Sequence, residues 1–387
     1  MTNMLHTFKS VSKIVHGAGS IADAGKEVKR LGGKRAIIVT DPGLASLGLH
    51  IAVEEALAHA GIEFVLYAKA ELEPNATSIQ HCADVAKEFK ADVIIGFGGG
   101  SALDTAKAAS VLAVHEGPIS KYFGVDVVPG PCMPLIAVPT TAGTGSEMTS
   151  ISVLTNNETG AKLGIVSDYI YASAVILDPA LTTGLPPHIT AMTGVDAFVH
   201  AMESFVGLMS TPFTDALNLQ AMKIIAKNIR KAYANGNNLE AREAMLYGSA
   251  LAGMGFGNTQ NGVIHAVGTS VPAKYKLPHG LLMAAVAPIG IDYNYMSNPE
   301  KYAVVADILS HVVESDEPVE DRAAYCADAF VQMLEDLDIA PGLAPYGVTA
   351  EDLPGIATRA AAAKRLMDNN PRQGNEKQLL TMLEKHF

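Results

Sequence analysis

Short apolar runs alternate with amphipathic segments through the first half of the chain. Runs rich in β-branched residues predict buried strands, and apolar positions at helical spacing predict helices between them. The predicted strands are Ala36–Thr40, Glu63–Tyr67, Asp92–Phe97, Leu135–Val138, Ile151–Thr155, Lys162–Val166 and Val175–Leu177. The predicted helices are Ile51–Ala60, Ser78–Phe89 and Ala102–Ala113. This alternation indicates a parallel sheet with crossover helices, to which the fifth and sixth strands, separated by NNETG, add a hairpin.

The pattern changes after the proline-rich segment at Leu185-Pro186-Pro187, where long Ala/Met/Leu-rich helical segments take over. These segments are Ile189–Phe205, Thr214–Ala234, Leu239–Met254 and most of 300–337. We therefore predict an α/β N-terminal domain with a parallel sheet over residues 1–184 and an all-α C-terminal domain over residues 185–387. The longest apolar run, Gly280–Ile291, is shorter than the about 20 residues that span a bilayer, so it predicts a buried helix.

Composition excludes several classes of function. The chain has 387 residues, 49% of them hydrophobic and 18% charged, which is typical of a globular protein rather than a disordered one. Its formal charge of −12 disfavours nucleic acid and anionic membranes as partners. Its three cysteines, Cys82, Cys132 and Cys326, are far apart and form no CxxC pair, which favours a reducing, cytoplasmic compartment. The N-terminus shows no signal-peptide pattern.

Three consecutive glycines, in Gly98-Gly99-Gly100-Ser101, follow a predicted strand and open a predicted helix. Glycine lets a backbone approach a ligand closely, and a helix N-terminus offers free N–H groups to a phosphate. Ser101 and Asp104 have the spacing of a capping box. We predict a phosphate or pyrophosphate site here. The alternative, a tight strand-to-helix turn, rarely needs three glycines, and the spacing differs from GxGxxG.

A second loop of hydroxyl-bearing and small residues, Pro139–Glu147, follows the predicted strand Leu135–Val138. Open α/β sheets bind ligands at the carboxyl ends of their strands, so the two loops could hold the two ends of a dinucleotide. Asp41 ends the first predicted strand. There it can accept hydrogen bonds from a ribose and favour NAD over NADP, or it can simply begin the turn Asp41-Pro42-Gly43.

Metal-ligating residue types are concentrated in the helical half. Asp196 and His200, spaced i, i+4, share one face of an otherwise apolar helix, and His265 and His279 follow. One carboxylate with three imidazoles can bind Fe²⁺ or Zn²⁺. Taken singly, each histidine is better explained as a buried structural residue, and the sequence does not bring the four together. Glu203 lies in the same helical region and is a candidate to support a ligand from behind.

The motifs run in order from about residue 8 to 300 as GGGSALDTAK, PTTAGTGSE, Asp178-Pro179, TGVDAFVHAMES, and His265 with His279 fourteen residues later. Together they resemble the iron-dependent (group III) alcohol dehydrogenases. The resemblance implies an N-terminal dinucleotide-binding α/β domain and a helical metal domain, with the active site in the cleft between them. It implies metal ligands at Asp196, His200, His265 and His279. It implies NAD contacts at Asp41, Asn75, Gly98, Gly99, Gly100, Ser101, Thr140, Thr141, Thr144 and Lys162, to which we add Asp104 from the capping pattern.

One departure from the family pattern concerns the residue four positions after His265. Many members have a further histidine there, whereas this chain has Thr269. The metal set is intact, but the proton relay and the shape of the substrate pocket differ from the usual arrangement. Lys274 and Lys276 follow closely, and they either add positive charge near the site or are solvated.

The resemblance implies an NAD-dependent oxidoreductase that transfers hydride reversibly between NAD(H) and a small alcohol/aldehyde pair, with the metal as Lewis acid. The missing histidine and the nearby lysines suggest a short anionic aldehyde, with a sulfo, phospho or carboxy group. We assign no general base, and the proton can leave through water, the nicotinamide ribose or Thr269. The alternatives are a dehydroquinate-synthase-like lyase that uses NAD and metal transiently, and a non-catalytic NAD-binding protein. A homo-oligomer, dimeric or larger, is expected from the family.

Overall fold

The computed structural model describes residues 6–155 and 162–387. Within these ranges the chain divides into two compact units. One contains Lys9–Gly184, and the other contains Leu185–Phe387 together with the described residues before Lys9.

The first unit is an α/β structure. Its strands are β1 (Ile14–His16), β2 (Arg35–Val39), β3 (Glu63–Tyr67), β4 (Val93–Gly98), β5 (Gly124–Val125), β6 (Leu135–Pro139), β7 (Ile151–Thr155), β8 (Lys162–Val166) and β9 (Ala174–Leu177). Its helices are α1 (Ala24–Arg30), α2 (Pro42–Ser46), α3 (Ile51–His59), α4 (Ala76–Phe89) and α5 (Gly100–Val114). The predicted alternation of strands and helices is confirmed.

The main sheet is six-stranded and parallel, in the order β1-β9-β6-β4-β2-β3. Strands β4, β6 and β9 are buried along their whole length, as expected when helices cover both faces of a parallel sheet. The chain leaves β2 toward β3 on one side and later leaves β4 toward β6 on the other. The carboxyl ends of β2 and β4 therefore meet at a topological switch point, the usual ligand position in such sheets.

A smaller sheet has the order β5-β8-β7. β7 and β8 pair antiparallel, with Ile151 opposite Val166 and Thr155 opposite Lys162. The predicted pairing is thus confirmed, while its NNETG turn lies outside the described residues.

The second unit is helical over its described residues. Its helices are α6 (Pro187–Val206), α7 (Pro212–Ala234), α8 (Leu239–Thr259), α9 (Val263–Gly268), α10 (His279–Asn294), α11 (Pro299–Leu309), α12 (Val319–Glu335), α13 (Leu353–Ala362), α14 (Lys364–Met367) and α15 (Glu376–Lys385). The apolar run Gly280–Ile291 lies in α10, and most of that helix is buried as predicted. No helix of the described residues is long and apolar enough to cross a membrane.

The predicted end of α8 at Met254 is wrong, because the helix continues to Thr259. Its glycine-rich last turns carry a weak helical signal in the sequence. The structure explains Gly255, since a Cβ there would overlap the Asn218 side chain of α7. The glycine permits a close approach of these two helices.

Candidate functional site

Four metal-ligating side chains converge in the helical unit. Asp196 and His200 lie on α6, His265 on α9, and His279 begins α10. One potential ligand atom from each lies within 4.8 Å of the others. The Asp196 Oδ1 atom is 3.8 Å from the Nε2 of His200, 3.9 Å from that of His265 and 3.7 Å from that of His279. The structure thus brings together the residues that the sequence alone could not join.

A glycine allows α10 to approach α6 closely. The Cβ of any other residue at Gly280 would lie 2.5 Å from the Met192 carbonyl oxygen and 3.5 Å from the Asp196 Cβ. With hydrogen in that place, the first turn of α10 packs directly against the α6 turn that carries Asp196. This contact sets His279 opposite the carboxylate.

The cluster has the properties of a cation site. Asp196 is 2% exposed, and neither its Oδ1 nor the His265 Nε2 has a hydrogen-bond partner within the described part of the chain. Burial raises the pKa of Asp196 to about 7; the charge of Glu203 also raises it, and His265 opposes the shift. Unsatisfied buried polar atoms are costly, and a cation among them would satisfy both.

The spacing and chemistry of the donors also fit a cation. In a tetrahedral site with ligands at about 2.1 Å, ligand atoms lie about 3.4 Å apart, close to the separations seen here. One carboxylate oxygen and three imidazole nitrogens suit Fe²⁺ or Zn²⁺.

Glu203 supports the cluster from behind. Its Oε2 lies 2.5 Å from the His265 Nδ1, and its Oε1 accepts a hydrogen bond from the Ile264 N–H at 2.7 Å. A carboxylate in this position holds the proton on Nδ1 and leaves the Nε2 lone pair directed at the cluster. Phe256 of α8 adds a second constraint, because its ring stacks on His200 with 4.3 Å between centroids.

The two loops predicted to bind a dinucleotide are neighbours in the α/β unit. They follow the adjacent strands β4 and β6, and the Thr140 N–H donates to the Gly98 carbonyl at 3.0 Å. A Cβ at Gly99 would lie 3.5 Å from the Thr141 Oγ1, and a Cβ at Gly100 would lie 2.8 Å from the Thr144 Cγ2. The bare backbone of one loop therefore faces the hydroxyl-bearing side chains of the other.

The capping box predicted for Ser101 and Asp104 is wrong. Gly99 is the N-cap of α5, and no side chain caps that helix. The Ser101 Oγ instead donates to the Leu72 carbonyl at 2.7 Å. Asp104 turns inward and accepts from the Ser146 Oγ at 2.7 Å and the Val153 N–H at 3.0 Å, so it fastens the second loop and β7 to α5. No side-chain cap thus occupies the first N–H groups of α5, as a phosphate site requires.

Three of the remaining predicted cofactor residues have local partners. Asp41 caps α2 by accepting from the Leu44 N–H at 2.9 Å, and its other oxygen lies 3.7 Å from where a Cβ of Gly98 would be. Both readings of Asp41 from sequence are therefore compatible with its position. Asn75 caps α4 in a capping box. Lys162 donates to the Thr155 Oγ1 at 2.8 Å and lies 3.2 Å from a Glu73 carboxylate oxygen.

Sequence reasoning missed Lys107 and Glu147. Lys107 is completely buried, and its Nζ donates to the Ser146 carbonyl, Ser146 Oγ, Thr149 Oγ1 and Ile151 carbonyl at 2.5–3.1 Å. Burial lowers the pKa of Lys107 to about 8 and raises that of Glu147 to about 7. A lysine within the apolar helix ALDTAKAAS was the available signal. Together with Asp104, Lys107 holds the second loop, Pro139–Glu147, in its shape.

The structure also shows the contacts of Thr269, where the chain departs from the family pattern, and of the nearby Lys274. The Thr269 hydroxyl donates to the His265 carbonyl at 2.6 Å, so its proton is directed into its own helix. The Lys274 Nζ pairs with Asp352 at 2.7 Å, and its side chain is 61% exposed. A carboxylate therefore already balances the charge of Lys274, which weakens the sequence argument that placed it near an anionic substrate.

Comparison with known proteins agrees with this geometry. Residues 11–179 match the family model "Iron-containing alcohol dehydrogenase", and residues 190–387 match "Fe-containing alcohol dehydrogenase family, C-terminal". The sulfoacetaldehyde reductase of Bilophila wadsworthia is 62% identical over 379 residues, which cover 98% of each chain.

Two solved structures have the same fold. The structure of a 1,3-propanediol oxidoreductase superposes with a TM-score of 0.96 at 36% identity, over 99% of this chain and 100% of that one. The structure of the sulfoacetaldehyde reductase from Bifidobacterium kashiwanohense in complex with NAD⁺ superposes with a TM-score of 0.88 at 28% identity, over 99% of each chain.

Proposed function

Because the chain belongs to the iron-containing alcohol dehydrogenase family, we propose that it reduces sulfoacetaldehyde with NADH, at a divalent iron held by the Asp196 cluster. The chain is an NAD-dependent alcohol/aldehyde oxidoreductase. The observation that carries the proposed site is the convergence of one carboxylate oxygen and three imidazole nitrogens within 4.8 Å. The choice of substrate rests on the 62% identity to the Bilophila wadsworthia reductase.

Asp196, His200, His265 and His279 are the proposed ligands. A divalent iron bound there supplies Lewis-acid polarisation of the aldehyde oxygen. The protein's part is to keep the donors aligned: Glu203 fixes the His265 ring, Phe256 fixes the His200 ring, and Gly280 lets α10 bring in His279. Such supporting contacts tune metal affinity as well as position.

NADH is proposed to bind at the loops after β2, β4 and β6. Its pyrophosphate would lie against Gly98, Gly99 and Gly100, where the N-terminus of α5 offers free N–H groups. Thr140, Thr141 and Thr144 provide hydroxyls beside that position. Asp41, at the end of β2, would receive the ribose hydroxyls and disfavour a 2′-phosphate. Asn75, Ser101 and Lys162 are proposed as further contacts, whereas Asp104 is proposed to shape the loop.

Hydride transfer needs no nucleophilic side chain, and we assign none. NADH provides the hydride, and the protein orients both reactants and limits water. Reduction of the aldehyde leaves an oxygen that must take up a proton. Because Thr269 donates its own proton to the His265 carbonyl, we favour delivery of that proton to the product through water or the nicotinamide ribose. We also propose that cofactor and metal binding divide between residues 1–184 and 185–387.

Two further proposals concern the quaternary state and the cellular location. We propose a homo-oligomer, dimeric or larger, in the cytoplasm, because the family suggests one and because Cys82, Cys132 and Cys326 are all free thiols. Light scattering of the purified protein would give the mass of the assembly.

An anaerobic assay tests the proposed reaction. Iron-loaded protein is mixed with sulfoacetaldehyde and NADH, and the loss of NADH absorbance is compared with the amount of alcohol formed. We expect one NADH consumed per alcohol formed. Aldehyde conversion with no net NADH loss would point to the lyase alternative and contradict the proposal.

A further inference from the structure

The segment that joins α8 to α9 carries two amides beside the metal cluster. Gln260 lies one helical turn beyond Phe256, the residue that stacks on His200. Asn261 is 7% exposed, and its Oδ1 has no hydrogen-bond partner within the ranges 6–155 and 162–387. Gly262 lies close to Glu203, the residue that holds the His265 ring. A Cβ at Gly262 would lie 3.2 Å from the Glu203 Oε1. These amides are polar groups that the metal cluster itself does not use.

One arginine reaches this segment from α14. The Arg365 Nε donates to the Gln260 Oε1 at 3.0 Å. Asn369, just after α14, donates from its Nδ2 to the carbonyls of Gln260 at 2.8 Å and Asn261 at 3.2 Å. These bonds fix the register between α14 and the segment, so the position of the guanidinium relative to the cluster is set by the fold.

The charge of Arg365 is unbalanced. Within the described part of the chain no carboxylate oxygen lies within 4.0 Å of its guanidinium, and Gln260 is the partner of its Nε only. The residue is exposed, yet surrounding protein atoms lower the pKa of its guanidinium by desolvation. Its two terminal nitrogens form an open fork that suits a bidentate oxyanion.

We propose that Arg365 binds the anionic group of the aldehyde substrate and that Gln260 holds the guanidinium in place. This inference rests on the proposed function, which it deepens by naming the residue that selects a charged substrate. Gln260 directly follows α8, and its N–H donates to the carbonyl of Phe256, the residue stacked on His200, at 2.9 Å. Gln260 thus links the guanidinium to the residue that packs on a proposed metal ligand, and in the proposed complex the aldehyde oxygen lies at the cluster and the sulfonate at the fork. Lys274 does not fill this role, because Asp352 already neutralises it.

The test compares Arg365→Gln with the wild type on two aldehydes of similar length, sulfoacetaldehyde and the uncharged propanal. We expect kcat/KM for sulfoacetaldehyde to fall at least about 30-fold, mainly through KM, because charge-assisted hydrogen bonds are lost. The kcat/KM for propanal should stay within about twofold. Arg365→Lys keeps the charge without the fork, so its kcat/KM for sulfoacetaldehyde should lie between those of the wild type and Arg365→Gln.

A matched control removes a neighbouring charge. The Lys364 side chain is 85% exposed and lies 3.6 Å from Asp368, so Lys364→Gln lowers the net charge equally without touching the fork. We expect this variant to behave as wild type. An equal effect of Lys364→Gln, or an equal loss on both aldehydes in Arg365→Gln, would overturn the inference.

Calorimetric binding of ethanesulfonate separates this inference from the proposed reaction. Wild-type protein should bind the sulfonate, and Arg365→Gln and Arg365→Lys should bind it at least about tenfold more weakly. If the wild type reduced no aldehyde but showed this difference, the proposed function would fail and the anion site would stand. If the wild type reduced sulfoacetaldehyde while the variants bound ethanesulfonate equally well, only the anion site would fail.

Discussion

Asp196 shows at the scale of one residue how burial and charge define the site. A carboxylate that is 2% exposed, with three imidazole nitrogens within 4 Å, is costly unless a cation joins them. Sequence showed the residue types and the i, i+4 spacing of Asp196 and His200. It could not show that α9 and α10 bring two further histidines to the same point, because those contacts depend on helix packing far apart in the chain.

Glu203 is predicted to determine metal affinity through His265. In Glu203→Gln the neutral amide holds the His265 Nδ1 proton less strongly, so we expect metal affinity to fall about 10- to 100-fold. The measurement is a chelator titration of the iron-loaded variant and wild type. Glu243→Gln is the matched control, since Glu243 lies on α8 about 20 Å along the helix from Phe256 and accepts from Tyr247. Equal metal affinity in Glu203→Gln and wild type would contradict the assigned role.

Glu147 is predicted to make stability depend on pH. Burial raises its pKa from 4.5 to about 7, so the folded state binds the proton more tightly than the unfolded state. Ionisation of the buried Glu147 therefore lowers the free energy of unfolding. This loss of stability is absent below about pH 4.5 and grows as pH rises through 7. A shift from 4.5 to about 7 corresponds to a cost on the order of 3 kcal/mol. Relative to wild type, Glu147→Gln should have an unchanged Tm near pH 5 and a Tm a few degrees higher near pH 8.

Two features keep this test specific. Asp104 and Lys107 interact with this region, and the pKa of Lys107 is lowered to about 8, so measurements should stay at or below that pH. Glu88→Gln, at an exposed position on α4 of the same unit, controls for loss of a charge. A Tm difference between Glu147→Gln and wild type that is constant from pH 5 to 8 would show that Glu147 does not titrate as described.

At the scale of elements, periodicity and turn residues predicted most of the structure. β3, β7 and β8 have their predicted bounds, because each is an apolar or alternating run closed by turn residues. β1 was not predicted, since only three residues pair with β9 and its edge position leaves them partly exposed. The capping box failed for a different reason: Ser101 and Asp104 found partners in Leu72 and Ser146, which are distant in sequence.

Gly99 is predicted to serve the ligand rather than the fold. A Cβ there would make only ordinary contact with Thr141 at 3.5 Å, so Gly99→Ala should fold with a Tm close to wild type. It would nevertheless cover the backbone where the pyrophosphate is proposed to lie, so we expect the Kd for NADH to rise at least about tenfold. Fluorescence titration with NADH measures this. The control is Gly184→Ala, where an added Cβ meets nothing within 4 Å, and wild-type NADH affinity in both variants would refute the loop assignment.

At the scale of the whole molecule, the sites proposed for the two ligands lie in different compact units. The glycine and threonine loops belong to the unit Lys9–Gly184, and the metal cluster belongs to the unit that contains Leu185–Phe387. The change in periodicity near the proline-rich segment predicted that an α/β structure is followed by a helical one. The motifs predicted a dinucleotide site in the first and a metal site in the second. The sequence left open whether Lys274 adds charge near the site or is solvated, because the pairing of that lysine with Asp352 depends on a contact between residues 78 positions apart.

The central claim is that one divalent iron binds among Asp196, His200, His265 and His279. The most direct measurement is anomalous diffraction at the iron edge from crystals grown anaerobically with Fe²⁺. We predict one strong peak in the helical unit, about 2.0–2.2 Å from the Asp196 carboxylate oxygen and from the three Nε2 atoms. The absence of a peak at this position, or an iron peak ligated by other residues, would contradict the claim.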